Sequence, residues 1–132
     1  MKMLKAVSFV LGAVALGAAA MSASAADITA GKALVEKGGC VACHGKDLNA
    51  PISPDYPKLA GQHPDYLYHA LASYQISGNP LVGRTNAIMA GQVNSNPAVT
   101  DKHGKPRPFT RAELKDIAAY IGSLKGDLVL KK

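Results

Sequence analysis

The chain has 132 residues, two cysteines, no tryptophan and a formal net charge of +6. That length fits one domain, and two cysteines are too few for a disulfide-rich scaffold. The composition also excludes a collagen-like chain, a two-domain enzyme and a protein with many membrane spans.

The apolar residues are unevenly spread, and 18 of them fall within residues 1–25. Lys2 and Lys5 precede an apolar run from Val7 to Ala20, and Ala23-Ser24-Ala25 supplies the small residues of a cleavage site. This order matches a secretory signal peptide cut before Ala26. A membrane anchor is the competing reading, but the run is short and rich in Ala and Gly for a span. Residues 1–25 are therefore expected to be a cleavable signal, and 26–132 one exported domain. Without Lys2 and Lys5 the net charge falls to +4. The remaining 107 residues hold a single Phe, which is thin filling for a core of this size.

Asp27 or Thr29 can cap a first helix that turns Ala30, Ala33 and Leu34 inward and stops at Gly38-Gly39. The two cysteines follow at once, as Cys40-Val41-Ala42-Cys43-His44. A redox dithiol of the thioredoxin kind would sit beside a βαβ pattern, which the sequence lacks. A structural zinc needs about four ligands, and His63, His69 and His103 show no paired spacing. The five-residue pattern ending in His is the signature of c-type haem attachment. Two thiols one turn apart can add to the two vinyl groups on one haem edge, and the next residue's imidazole then lies under the iron.

A middle helix is expected from Pro64 to about Gln75, with Leu67, Ala70, Leu71 and Tyr74 inward and an end near Gly78. Tyr66, Tyr68 and Tyr74 are expected to pack in the core and at its rim. Once the signal is gone, Met89 is the only methionine. It lies between Pro80 and Pro97 in a segment without helical periodicity, so a loop offering its thioether to the open haem face is expected. His/Met ligation suits electron transfer; His63, His69 and His103 are the competing ligands, and an open site is the remaining alternative. Arg84 can pair with a haem propionate or stand free on the surface, and the sequence leaves both open.

Gln92 to Phe109 reads as a long Pro- and Asn-rich loop. It carries Lys102, Lys105 and Arg107, with Arg111 just beyond. One reading is a solvated insertion; the other is a positive surface that steers an acidic partner. Thr110-Arg111-Ala112-Glu113 fits a capping box for a last helix. Leu114, Ile117, Ala118 and Ile121 form its inner stripe, and Gly126 is expected to close it.

Four motifs in order now carry a resemblance: Cys40-Val41-Ala42-Cys43-His44-Gly45, Tyr56-Pro57-Lys58-Leu59-Ala60-Gly61-Gln62, Met89, and Ile117-Ala118-Ala119-Tyr120. The sequence resembles class I c-type cytochromes, in particular the bacterial periplasmic monohaem type (cytochrome c553-like) or one half of a cytochrome c4-type protein. The resemblance implies an all-α fold of three main helices around one covalent haem c, with the first and last helices crossing at Gly31 and Tyr120. It implies haem attachment through Cys40 and Cys43, iron ligands His44 and Met89, a Pro57 carbonyl that orients His44, and Leu59 against the haem. The expected function is a soluble periplasmic electron carrier, not an enzyme, which passes single electrons between redox partner proteins. A haem-based gas or peroxide sensor, or an electron-accepting subunit of a periplasmic dehydrogenase, are the alternatives. Nucleic acid is not an expected partner, because the charge is modest and no reader motif is present.

Overall fold

The computed structural model describes residues 25–127. The expected signal peptide lies outside the described residues, apart from Ala25. Five helices and one small hairpin follow in order: α1 Ile28–Lys37, α2 Val41–His44, α3 Pro64–Ser73, α4 Ala87–Asn94, β1 Asn96–Thr100, β2 Pro106–Arg107 and α5 Arg111–Ser123. No described helix is long and apolar enough to cross a membrane.

α1 begins where the Asp27 carboxylate accepts the backbone N–H groups of Thr29 and Ala30, at 2.8 and 3.0 Å. These are two of the donors that a helix start leaves without partners. It stops at Gly38, and Gly39 follows in the left-handed region with φ +71°. The fully buried positions are Gly31 and Val35; of the expected inward residues Leu34 does pack against the core, while Ala30 and Ala33 are only half-buried, so the inner face is turned by about one residue. The cause is the neighbour. α1 crosses α5 at Gly31, where a Cβ would run into the Asp116 backbone carbonyl and press on Tyr120. Asp116 also accepts the Asp27 N–H at 2.7 Å, which ties the two helices at that end.

α5 is the best specified element. Thr110 accepts from Glu113 N while the Glu113 carboxylate accepts from Thr110 N, a complete capping box. Leu114, Ile117, Ala118 and Ile121 are all buried. Each large side chain of that stripe contributes about 2 kcal/mol on burial, so packing outweighs the cap, worth about 1 kcal/mol. The helix ends at Ser123 with Leu124 extended. Gly126 does not close it. Instead Gly126 lies so near the Ala60 carbonyl that a side chain would not fit there.

α3 has Pro64 at its first position and buries Leu67 and Ala72. It is shorter than expected; Tyr74, Gln75 and Ile76 continue as tight turns, each bonding to the carbonyl three residues back. Between α2 and α3 the chain folds around Leu48. This residue has φ +56° and a side chain only 1% exposed, and its carbonyl accepts from both Leu59 N and Ala60 N. The left-handed backbone is costly for a residue with a γ-branched side chain, and burial with two hydrogen bonds holds it there. Leu48 was absent from the expected core.

Two expectations between Pro80 and Phe109 are corrected. Met89 is not in a loop, because residues 87–94 form α4, whose start is capped by Asn86. Only Val93 of that helix is buried, so it leaves no apolar stripe in the sequence to betray it. The long loop after it is ordered as the antiparallel β1–β2 hairpin, with Asn96 opposite Arg107 and Thr100 opposite Pro106. The Asp101 carboxylate accepts from His103 N and Lys105 N and shapes the turn. Val99 and Phe109 carry this segment into the core.

Candidate functional site

The turn at Gly38-Gly39 aims the chain so that Cys40 opens α2 and His44 closes it. Cys40 and Cys43 are three residues apart on one helical turn, so their side chains share a face. Both thiols are free and half-buried. Desolvation pushes the Cys40 thiol above its ordinary range, opposed by its own backbone N–H, with the neighbouring Cys43 adding to the rise.

His44 is 6% exposed and one of two buried polar residues among those described. Its Nδ1 lies 2.9 Å from the Pro57 carbonyl oxygen. A carbonyl only accepts, so Nδ1 carries a proton, and the neutral ring in this tautomer holds its lone pair on Nε2. Tyr56 packs edge-on against the imidazole at 6.2 Å between centroids. Leu59, half-buried, packs on the core just beyond. Ile52 N donates to Cys43 O at 3.1 Å and leaves an apolar side chain 70% exposed next to the cysteine turn.

Met89 is half-buried on the first turn of α4, and its N–H donates to Asn86 Oδ1 at 3.0 Å. It stands on a separate segment from His44, with exposed Ile88 beside it. Side-chain amides, which the sequence reading missed, hold this helix. Asn94 Nδ2 donates to Tyr74 O and Ala90 O, while Gln75 Nε2 donates to Val93 O and Phe109 O. The one readable signal was Asn86, three residues before Met89, a good N-cap at that spacing.

Arg84 is exposed and rests over two aromatic rings, 5.8 Å from the centre of Tyr66 and 5.6 Å from that of Tyr74. It also donates to Tyr66 Oη at 3.4 Å. Its guanidinium thus ties the segment after Pro80 to α3, along surface cavities of about 320 and 550 Å³. In the hairpin, Arg107 is spent locally. It makes two parallel bonds of 2.8 Å to the Glu113 carboxylate. Lys102 and Lys105 at the hairpin turn remain exposed.

This donor set fits a haem c. Two thiols share one helical face, and a buried imidazole with a bare Nε2 follows them. A thioether sits on another segment, and uncovered apolar side chains lie beside both. Zinc fits poorly: among the described residues no three His, Cys, Asp or Glu side chains gather closely enough to hold a metal ion. His63 at the start of α3, His69 within it and His103 in the hairpin turn are all exposed.

Residues 28–125 match the family model described as cytochrome c. The chain belongs to the cytochrome c family. As a cytochrome c it is a haem c protein, whose iron porphyrin is bound covalently. It is 35% identical over 117 residues to cytochrome c4 of Stutzerimonas stutzeri, which covers 86% of this chain and 48% of that protein. Identity to cytochrome c4 of Azotobacter vinelandii is 33% over 112 residues, covering 83% of this chain and 47% of the relative. The crystal structure of reduced recombinant cytochrome c4 from Pseudomonas stutzeri superposes with a TM-score of 0.60 at 34% identity. That match covers 79% of this chain and 48% of the solved one. The chain thus spans about half the length of the relatives it matches. This cytochrome c has the class I fold, with the β1–β2 hairpin as its departure from an all-helical plan. Proteins of this family are haem-containing electron carriers.

Proposed function

We propose that this cytochrome c is a periplasmic electron carrier that passes single electrons between redox partner proteins. Cys40 and Cys43 would hold the haem through thioether bonds, and His44 Nε2 and the Met89 sulfur would ligate its iron. When bound, the iron supplies a one-electron couple between ferric and ferrous states.

The observation that carries this reading is the hydrogen bond from His44 Nδ1 to Pro57 O at 2.9 Å. It fixes the ring, leaves Nε2 bare and makes the imidazole a stronger donor, the usual role of a partner behind a metal-binding histidine. The Met89 thioether favours the ferrous state and so raises the potential. Leu59 supplies apolar cover. Ile88, Ala90 and Gly91 flank Met89 and bring no polar group to that face, which speaks against gas or peroxide chemistry. Export rests on the signal pattern of residues 1–25, with cleavage before Ala26. The exposed Lys102 and Lys105 favour partners with acidic surfaces.

The test begins with the purified protein in acidified organic solvent. Haem stays on the polypeptide of the native protein and is released from a variant carrying both Cys40→Ser and Cys43→Ser. The reduced native protein binds carbon monoxide only sluggishly. Haem that extracts freely from the native protein overturns the attachment, and rapid carbon monoxide binding overturns the carrier reading in favour of a sensor.

A further inference from the structure

Asn96 is, with His44, the only buried polar residue among those described, and its side chain is one of the four largest that are fully enclosed. It opens the hairpin directly after α4, with only Ser95 between. All of its hydrogen-bonding groups are used. Nδ2 donates to Gly38 O at 3.1 Å and to Gln92 Oε1 at 3.0 Å, and Oδ1 accepts from Ala98 N at 2.9 Å. The partners are informative. Gly38 closes α1 and stands two residues before Cys40. Gln92 belongs to α4, three residues beyond Met89. One amide therefore joins the segment that delivers the cysteines and His44 to the helix that carries Met89.

The packing makes such a link consequential. α4 buries a single side chain, Val93, so apolar contact alone holds it weakly. Gly38 has no room for change either, since a Cβ there would crowd Leu34 O and approach the Asn96 amide within 3.4 Å. A buried amide with every group satisfied has one favoured position, because any shift leaves a polar atom unpaired away from water.

We propose that Asn96 is a positioning residue which braces the Met89 helix against the end of α1, and that the hairpin serves to bring it there. This rests on the reading of Met89 as an iron ligand. The brace keeps the thioether facing the iron without touching it. A ligand that must displace Met89 then has to work against the brace, because an equilibrium moves only by the difference in binding between its two states.

The experiment is a titration of the ferric holoprotein with imidazole, read in the visible spectrum, beside a thermal unfolding curve for each variant. Asn96→Leu keeps the branched shape, at a larger volume, and removes the amide; imidazole should bind about tenfold more tightly. Gln92→Ala, at an exposed position, cuts only the tie to α4 and should fold normally. It should shift the affinity in the same direction by about threefold. Val99→Ala leaves a hole in the same strand without touching the brace, and should lower the unfolding temperature while imidazole affinity stays unchanged. If Val99→Ala raises the affinity as much as Asn96→Leu, or if Gln92→Ala and Asn96→Leu both leave it unchanged, the brace is refuted. Met89→Ala separates the two claims, since it should raise the affinity far more than any other variant. If it does not, the ligand assignment has failed and the brace falls with it.

Discussion

Asn86 accepts the backbone N–H of Met89 at 3.0 Å. The proposed sulfur ligand thus sits on a turn that its own N-cap residue fixes. Loss of such a cap costs about 1 kcal/mol, and Asp retains most of it. Asn86→Ala should therefore loosen the first turn of α4 and weaken the methionine–iron bond before the protein unfolds. The weak far-red ferric band that marks a thioether on iron should fade at a lower temperature than in the native protein. Asn86→Asp should restore it. Equal fading temperatures for all three proteins would detach the cap from the ligand.

Gly31 meets the Asp116 carbonyl where α1 crosses α5. Backbone cannot step aside as a flexible side chain can. Gly31→Ala should destabilise the holoprotein by about 2–3 kcal/mol, the upper part of the range for overpacking, although Ala is the better helix former by about 1 kcal/mol. Thermal unfolding of the haem-loaded protein checks this, and an unchanged midpoint would show that the crossing is looser than described.

Arg107 holds the Glu113 carboxyl well below its ordinary value of 4.5, at about 2, with Thr110 N and Oγ1 helping and burial opposing. A carboxyl lowered on folding stabilises the folded state fully above its unfolded pKa, and that share is lost as pH falls through the folded one. The contribution of Glu113 should thus be complete above about pH 4.5 and fade towards pH 2. Glu113→Gln should cost about 1–2 kcal/mol at neutral pH through the charge-assisted pair and the cap. The gap between variant and native protein in unfolding experiments should narrow as the solution is acidified from pH 5 to pH 2, roughly the window over which a paired carboxyl loses its charge. A gap that is constant with pH would remove the pair from the acid response.

Lys102 and Lys105 carry the exposed positive charge of the hairpin turn, beside the Asp101 carboxylate, whereas Arg107 is committed to Glu113. Steering acts on the rate of encounter and is screened by salt. Lys102→Glu with Lys105→Glu should slow electron transfer with an acidic redox partner at low ionic strength. The native protein and the variant should converge as salt rises. Rates that do not depend on salt in either protein would leave the hairpin without a docking role.

Much of this was readable where one residue type answers one physical need. The capping box and inner stripe of α5 appear where the sequence pattern put them, because a cap and a 3.6-residue period are local properties. The tight crossing at Gly31 was legible from the family resemblance, and the stop at Gly38-Gly39 from glycine's backbone freedom. The periodic reading of the inner face of α1 was correct at Leu34 but missed Gly31 and Val35, because its phase is set by a partner 85 residues away, Asp116, and not by its own composition. α4 went unseen because amides rather than an apolar face anchor it, and amides leave no periodic trace. Asn96 belongs to the same class. An asparagine in a Pro- and Asn-rich stretch looks like turn chemistry, and only the fold reveals that it is enclosed. Leu48 escaped because its burial comes from a left-handed kink that no pattern announces.

The central claim is a covalent haem c whose iron lies between His44 and Met89. It is tested most directly by the visible spectrum of the ferric protein beside that of Met89→Ala. The native protein should show a weak far-red band that vanishes in the variant, together with a fall in reduction potential. A native spectrum without that band, or a variant that keeps it, would contradict the account.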